Sequence, residues 1–152
     1  MRTSVDLAPG DSSVQRSAET VILRVLSANL GVALESRRLA VADGVRVDVD
    51  GVCESSVPPV LVEVWAHQGR PRPAQKAKVM TDALKLVWIE RCLFPAGARK
   101  ILALADKDAA DYFLRRTWMS SALRDLGIEV IVVPLPSDLR SQITAAQTRQ
   151  FR

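Results

Sequence analysis

A carboxylate stands in the middle of a segment that is otherwise apolar. Glu63 lies within residues 60–66, VLVEVWA, whose β-branched residues predict a strand. Asp48 and Asp50 share one face of the preceding predicted strand, residues 45–50, because its side chains alternate strictly. If the two strands pair across the loop between them, one aspartate lies close to Glu63, and the register decides which one. Two neighbouring carboxylates together with water suit Mg²⁺, which prefers oxygen ligands.

The helix predicted next, residues 73–94, can bring a lysine to these carboxylates. At about 100° per residue, Gln75, Lys78 and Asp82 share one face, which continues into the apolar Leu86. We expect a face that is apolar at one end to turn towards the interior, so that its polar half lies near the carboxylates. Two simpler alternatives stay open: an edge strand with a solvated polar face, and a solvated helix face with a Lys78–Asp82 contact.

Basic residues are concentrated in the middle of the chain. The formal net charge is +4, from 21 Lys and Arg against 17 Asp and Glu. Residues 67–100 carry eight basic and two acidic side chains, and three of the five lysines lie within ten residues. Such a block favours a polyanionic partner, although exposed helices are often basic without any functional reason. The candidate nucleic-acid contacts are Arg70, Arg72, Lys76, Lys85 and His67.

Composition excludes several other classes of protein. With 152 residues, 48% of them hydrophobic, the chain is expected to form one globular domain. It contains no apolar run long enough to cross a bilayer and no signal-peptide pattern, so we expect a soluble, cytoplasmic protein without a membrane partner. Two distant cysteines and a single histidine argue against zinc and His-rich sites. There is no glycine-rich phosphate loop and no GxSxG motif.

The predicted elements describe a mixed α/β domain. Residues 1–16 lack periodicity and are predicted to be a disordered arm, which leaves residues 17–152 as a single domain. Strands separated by helices imply parallel crossovers, whereas the early strands can pair antiparallel, so we expect a mixed sheet with helices on both faces. Helices are predicted at 17–36, 73–94, 107–126 and 137–152, and strands at 39–41, 45–50 (ended by Gly51), 60–66, 99–105 and 128–135.

The spacing of the polar residues resembles a known group of nucleases. The predicted order is helix, strands, helix and strand, and it carries DG at 50–51, EVW at 63–65 and QKAK at 75–78. This arrangement resembles the PD-(D/E)xK nuclease superfamily. The resemblance covers residues 17–133 in topology, but only a few positions carry its motif. Residues 67–86 also resemble an uncharacterised bacterial group of that superfamily. The implied fold is restriction-endonuclease-like, with a mixed β-sheet flanked by helices in the order α-β-β-β-α-β-α-β plus a C-terminal helix.

The resemblance also implies a metal site. Asp50 and Glu63, helped by the backbone carbonyl of Val64, would hold Mg²⁺, with Mn²⁺ as a substitute. Asp48 takes the place of Asp50 if the register differs. The implied metal activates a water molecule and neutralises the charge that grows on the phosphate.

The sequence departs from the superfamily at the catalytic lysine. The lysine expected two residues after Glu63 is replaced by Trp65, whose indole cannot act as an acid, a base or a charged group. Because some members carry this lysine on the following helix, the resemblance nominates Lys78, or Lys76, to orient or deprotonate the attacking water. Gln75 matches the glutamine that many members have at the start of this helix, and it would position the water.

Two functions follow from these observations. The first is a metal-dependent phosphodiesterase, a DNA endonuclease or nuclease subunit, that hydrolyses phosphodiester bonds of nucleic acid. The expected partner is DNA, with a homodimer or a partner protein left open. The alternative is a catalytically inactive nuclease-like domain that binds nucleic acid or a partner protein in a defence or repair complex. The position of Lys78 relative to Glu63 distinguishes the two.

Overall fold

The computed structural model describes residues 9–150. Over this range the chain forms a five-stranded sheet flanked by five helices, which confirms the mixed α/β class. The elements in chain order are α1 (Pro9–Leu30), β1 (Glu35–Ala42), β2 (Val45–Cys53), β3 (Val60–Trp65), α2 (Pro73–Leu93), β4 (Arg99–Leu104), α3 (Lys107–Leu114), α4 (Trp118–Asp125), β5 (Ile128–Val132) and α5 (Ser137–Gln150).

The strands lie in the sheet in the order in which they occur in the chain. β1, β2 and β3 pair antiparallel, and β3, β4 and β5 pair parallel. The β1–β2 hairpin turns at Asp43 and Gly44, which have φ angles of 50° and 77°, the left-handed conformation that a two-residue hairpin turn requires. The two parallel connections each contain helices, as crossovers between parallel strands do.

Both faces of the sheet are covered, so β3 buries the side chains on both of its sides. Its valines pack on the face that α1 and α5 cover, whereas Leu61 packs on the face that α2, α3 and α4 cover. Because strand side chains alternate, Glu63 lies on the α2 face together with Leu61 and Trp65. The main α2 side chains buried against this face are Val79, Ala83, Leu86 and Ile89.

The first helix differs from the prediction at both ends. It begins at Pro9 rather than at residue 17, so the predicted disordered arm is wrong for residues 9–16, and residues 1–8 lie outside the described range. Its last residue is Leu30, because Gly31 follows with a φ of 68°. The residues released from the predicted helix allow β1 to start at Glu35 rather than at residue 39.

The helix predicted at 107–126 is two helices. α3 ends at Leu114, and Thr117 caps a new helix by accepting a hydrogen bond of 3.1 Å from the backbone N–H of Ser120. A threonine hydroxyl at this position satisfies a backbone donor that the first turn of a helix leaves unpaired. The continuous apolar periodicity predicted a single helix, but the cap at Thr117 starts a second one.

Gly51 lies inside β2 and does not end it, contrary to the prediction. A Cβ atom at this position would stand 2.7 Å from the Cδ2 atom of Leu23, a side chain of α1. The glycine therefore allows α1 to approach the sheet closely where β2 and β3 pair.

Candidate active site

A β-bulge in β2 decides which aspartate meets Glu63. Arg37 of β1 lies opposite Val49, but Glu35 lies opposite Val52. Two residues of β2, Asp50 and Gly51, therefore face a single residue of β1. A bulge of this kind interrupts the alternation of side chains along the strand and bends it.

The bulge turns Asp50 towards α2. Val49 packs on the α2 face, whereas Gly51 two residues later faces α1, although regular alternation would place both on one face. The residue between them, Asp50, projects to the side opposite Gly51 and reaches Glu63, whose pKa it raises. Asp48 and Asp50 thus lie on different faces of β2, contrary to the predicted strict alternation.

Asp48 takes no part in the carboxylate pair. Its side chain is 62% exposed and lies 3.9 Å from the Nε atom of Arg38 on β1. The prediction that either aspartate could serve is therefore resolved in favour of Asp50 by the position of the bulge.

Asp50 also replaces part of the hydrogen-bond ladder between β2 and β3. The last regular pair is Gly51 with Val62, and beyond it Oδ2 of Asp50 accepts a hydrogen bond of 2.9 Å from the backbone N–H of Val64. In an extended strand the N–H and C=O of one residue point to the same edge. The carbonyl of Val64 therefore faces the gap in which Asp50 lies, as the predicted third ligand must.

Glu63 is almost completely buried, with 2% of its surface exposed. Burial, the largest cause, and the neighbouring Asp50 carboxyl raise the pKa of Glu63 to about 9, although Lys85 acts in the opposite direction. Its Oε1 atom receives no aligned hydrogen bond from any described residue. A buried carboxyl whose pKa is raised by burial and by a neighbouring carboxyl is typical of a functional position.

The lysine that reaches this pair is Lys85. Its ammonium group forms an ion pair with Oε1 of Glu63 and donates a hydrogen bond of 2.8 Å to the backbone carbonyl of Asp48. The Lys85 side chain is 20% exposed, so its ammonium lies at the border between the buried carboxyl and solvent. The site thus combines two carboxylates from neighbouring strands with a lysine from the following helix.

Lys78 and Lys76, the lysines nominated from the sequence, are directed elsewhere. The Nζ atom of Lys78 lies 3.4 Å from Oδ2 of Asp82, and this half-exposed side chain makes no ion pair with Glu63. The Nζ atom of Lys76 lies 3.9 Å from the centroid of the Tyr112 ring. The nomination of these two lysines for the carboxylate pair is therefore corrected to Lys85.

Lys78 does not reach Glu63 because of where α2 lies along β3. Lys78 lies beside Trp65, at the end of the strand, with its Nζ atom 5.7 Å from the centroid of the Trp65 ring. Glu63 lies two residues earlier in the strand, so the helix reaches it only about two turns later. Lys85 follows Lys78 by two turns on the same face, and this repeat is the signal that could have identified it.

Gln75 does not approach the carboxylates either. Its Oε1 atom accepts a hydrogen bond of 2.7 Å from the backbone N–H of Arg72, and its Nε2 atom lies 2.9 Å from Nε2 of His67. Burial and the charge of Arg72 lower the pKa of His67, although Asp106 opposes them. Gln75 therefore caps the start of α2 and anchors the loop after β3, a role different from the predicted contact with water.

The remaining predicted contacts lie at the start of α2. Arg70 and Arg72 are exposed, and Lys76 is partly buried beside Tyr112. The first turn of α2 contains no acidic residue. Four basic and no acidic side chains occur within residues 67–80, so this end of the helix presents positive charge to solvent.

The described residues contain no cluster of three or more His, Cys, Asp or Glu side chains that could hold a metal. Two carboxyl groups and the carbonyl of Val64 are the oxygen groups brought together at this site. None of the described helices is long and apolar enough to cross a membrane. The chain matches no protein-family model, no curated protein and no solved structure.

Proposed function

We propose that this chain is a metal-dependent phosphodiesterase that cleaves nucleic acid, with DNA as the expected substrate. The observation that carries the proposal is the convergence of Asp50, Glu63 and Lys85 at the point where β2 and β3 stop pairing. The element order and the mixed sheet agree with a restriction-endonuclease-like fold of the PD-(D/E)xK type. In this assignment Lys85 takes the role of the lysine that Trp65 replaces.

The residues at the site fit a divalent cation held by oxygen atoms. Asp50, Glu63 and the carbonyl of Val64 would bind it, and the close approach of the buried Glu63 carboxyl to Asp50 beside that carbonyl is the observation that favours this assignment. Mg²⁺ commonly uses one or two protein carboxylates and completes its coordination with water and substrate phosphate, so a third acidic side chain is not required. When bound, the cation supplies a polarised phosphate and a water molecule of lowered pKa.

Lys85 is the group placed to handle the attacking water. Its ammonium lies beside the Glu63 carboxyl and is one fifth exposed, so it has access both to the carboxylates and to solvent. From there it orients the water and stabilises the negative charge that grows on the phosphate. The hydrogen bond to the carbonyl of Asp48 fixes the ammonium against β2 and limits the positions it can adopt.

The start of α2 supplies contacts to the nucleic-acid backbone. Arg70, Arg72 and Lys76 cluster there without neighbouring acidic residues in the first turn. Such contacts do not depend on base sequence, and each neutralised phosphate contributes roughly 0.9 to the salt dependence of duplex binding. Exchange of the three residues for alanine should therefore flatten that dependence.

A cleavage assay tests the proposal. The purified chain is incubated with Mg²⁺ and supercoiled plasmid, single-stranded DNA or RNA, beside a Glu63→Gln variant and an EDTA control. We expect cleavage of at least one substrate that requires both Mg²⁺ and Glu63. Absence of cleavage on all three substrates, or equal cleavage by the variant, would overturn the assignment.

The catalytically inactive domain is the second candidate, and one contact favours it. The ion pair with Lys85 already gives Glu63 a cationic partner, so the site can be stable without a metal. An inactive domain predicts nucleic-acid binding that is salt-dependent but unchanged by Mg²⁺. Only the phosphodiesterase predicts that added Mg²⁺ converts bound nucleic acid to product.

A further inference from the structure

The indole of Trp65 stands directly beside the proposed active site. Trp65 follows Glu63 by two residues, so both side chains lie on the face of β3 that α2 covers. The indole is only partly buried, and its Nε1–H has no hydrogen-bond partner among the described residues. The ring is therefore held by packing alone.

A second ring extends this aromatic surface. The ring centroids of Trp65 and His67 are 5.5 Å apart, within the range of favourable ring contacts, and the ring planes are tilted by 31°. Gln75 contacts the imidazole from the start of α2, so that ring is fixed. Together, Trp65 and His67 form what we call the aromatic step, located at the end of β3.

A positive charge lies over the indole ring of Trp65. The ammonium of Lys78 is 5.7 Å from the indole centroid, its side chain is 53% exposed, and it forms an ion pair with Asp82. Solvent weakens an ion pair whose lysine is half-exposed, so a phosphate can compete with Asp82 for the ammonium. A ring that can stack on a base and a cation that can bind a phosphate thus lie side by side.

We propose that the aromatic step stacks an unpaired base next to the phosphate that is cleaved, and that the chain therefore binds single-stranded DNA in preference to duplex. The inference rests on the proposed function, because it names the form of the substrate at that site. In a duplex the faces of the bases are stacked on one another and are not available to an aromatic side chain. Aromatic rings interleaved with cations are the usual means of binding single strands.

The test is a binding titration without divalent cations, so that cleavage plays no part. A short fluorescein-labelled DNA strand and the same strand annealed to its complement are titrated with wild-type chain in EDTA at low salt. Trp65→Leu is compared with Trp118→Leu, the matched control, because Trp118 is 68% exposed on α4. We expect tighter binding of the single strand, a loss of about tenfold in Trp65→Leu and no change in the control.

Tryptophan fluorescence gives a second measurement if Trp65→Leu does not fold. In a variant with Trp88→Phe and Trp118→Phe, the emission comes from Trp65 alone. Single-stranded DNA should quench this emission at concentrations at which duplex does not. Equal binding of the two DNA forms, or no quenching by the single strand, would overturn the inference.

These outcomes are independent of catalysis. Cleavage of duplex by a chain that binds both forms equally would overturn the aromatic step and leave the phosphodiesterase standing. Binding of single strands that depends on Trp65, without any cleavage in Mg²⁺, would support the aromatic step and overturn the phosphodiesterase.

Discussion

Two Glu–Lys pairs connect α2 to the sheet, and they differ in kind. In one, Nζ of Lys100 on β4 lies 2.6 Å from Oε1 of Glu90, while Oε2 of Glu90 accepts a hydrogen bond of 2.9 Å from the backbone N–H of Ala98. Both oxygens of that carboxylate have a donor. In the other pair, Glu63 lies deeper and has Asp50 beside it, and its Oε1 atom contacts Lys85 without an aligned hydrogen bond.

The pKa values of the two carboxyls move in opposite directions. At Glu90 burial acts to raise the pKa, but the hydrogen bonds from Lys100 and Ala98 outweigh it and lower the value. At Glu63 burial and Asp50 outweigh Lys85 and raise the pKa to about 9. The Glu90 pair therefore holds the helix against the sheet, whereas the Glu63 pair keeps a buried carboxyl beside a second one, an arrangement typical of functional sites.

The largest expected difference between the two Glu–Lys pairs is in their effect on the cleavage rate. Lys85→Met should lower Mg²⁺-dependent cleavage by about a hundredfold or more, because it removes the group that handles the water. Lys100→Met should leave the rate per folded molecule nearly unchanged, since Lys100 contacts Glu90 and not the carboxylate pair. Initial rates, with circular dichroism to count folded protein, measure both. A similar loss in the two variants would mean that Lys85 acts only through the fold.

The next largest expected difference between the two Glu–Lys pairs is in their effect on the free energy of unfolding. Glu90→Ala leaves the ammonium of Lys100, which is only 5% exposed, buried without a partner, and should lower the free energy of unfolding by about 3 kcal/mol. Glu63→Gln should change it by less than about 1 kcal/mol near neutral pH, because the native carboxyl is then already uncharged. Urea denaturation of both variants provides the comparison, and equal losses would remove the distinction between the pairs.

The pH dependence of stability has opposite signs in the two pairs. The raised pKa of Glu63 means that the folded chain keeps a proton that the unfolded chain has lost. This contribution to stability is complete below the ordinary value of 4.5 and is lost as the pH rises towards about 9. Glu90, with a lowered pKa, contributes above its ordinary value and loses that contribution as the pH falls.

Melting temperatures in metal-free buffer across this range measure the effect. The Tm of the wild type should fall as the pH rises. The Glu90→Gln variant should show the same fall, whereas the Glu63→Gln variant should not. A decline that persists unchanged in Glu63→Gln would show that another group causes it.

The smallest effect compares the two lysines of one helix face. Lys78→Met should leave the maximal rate of cleavage within about twofold of wild type, because Lys78 pairs with Asp82 and does not contact the carboxylate pair. The same exchange at Lys85 should abolish it. Parallel rate measurements on these two variants show which lysine serves the carboxylates, and the opposite order would return that role to Lys78.

The sequence predicted the parts of this site that depend on local patterns. Glu63 stood out because a charge interrupts a β-branched run, and the helix face that carries Lys78 was identified from its period. The helical repeat places Lys78 and Lys85 on one face, but the choice between them depends on how α2 lies along β3, which the repeat alone does not determine. The position of Asp50 was not predictable either, since the bulge arises from pairing with β1, which lies earlier in the chain.

The most direct test of the central claim is whether Asp50 and Glu63 form one cation site. A Mn²⁺ titration, monitored by the loss of the electron paramagnetic resonance signal of the free ion, should show one binding site per chain in the wild type. Asp50→Asn and Glu63→Gln should abolish this site, whereas the matched variant Asp48→Asn should keep it, because the Asp48 side chain lies on the other face of β2, beside Arg38. No binding by the wild type, or equal losses in Asp48→Asn and Asp50→Asn, would contradict the account.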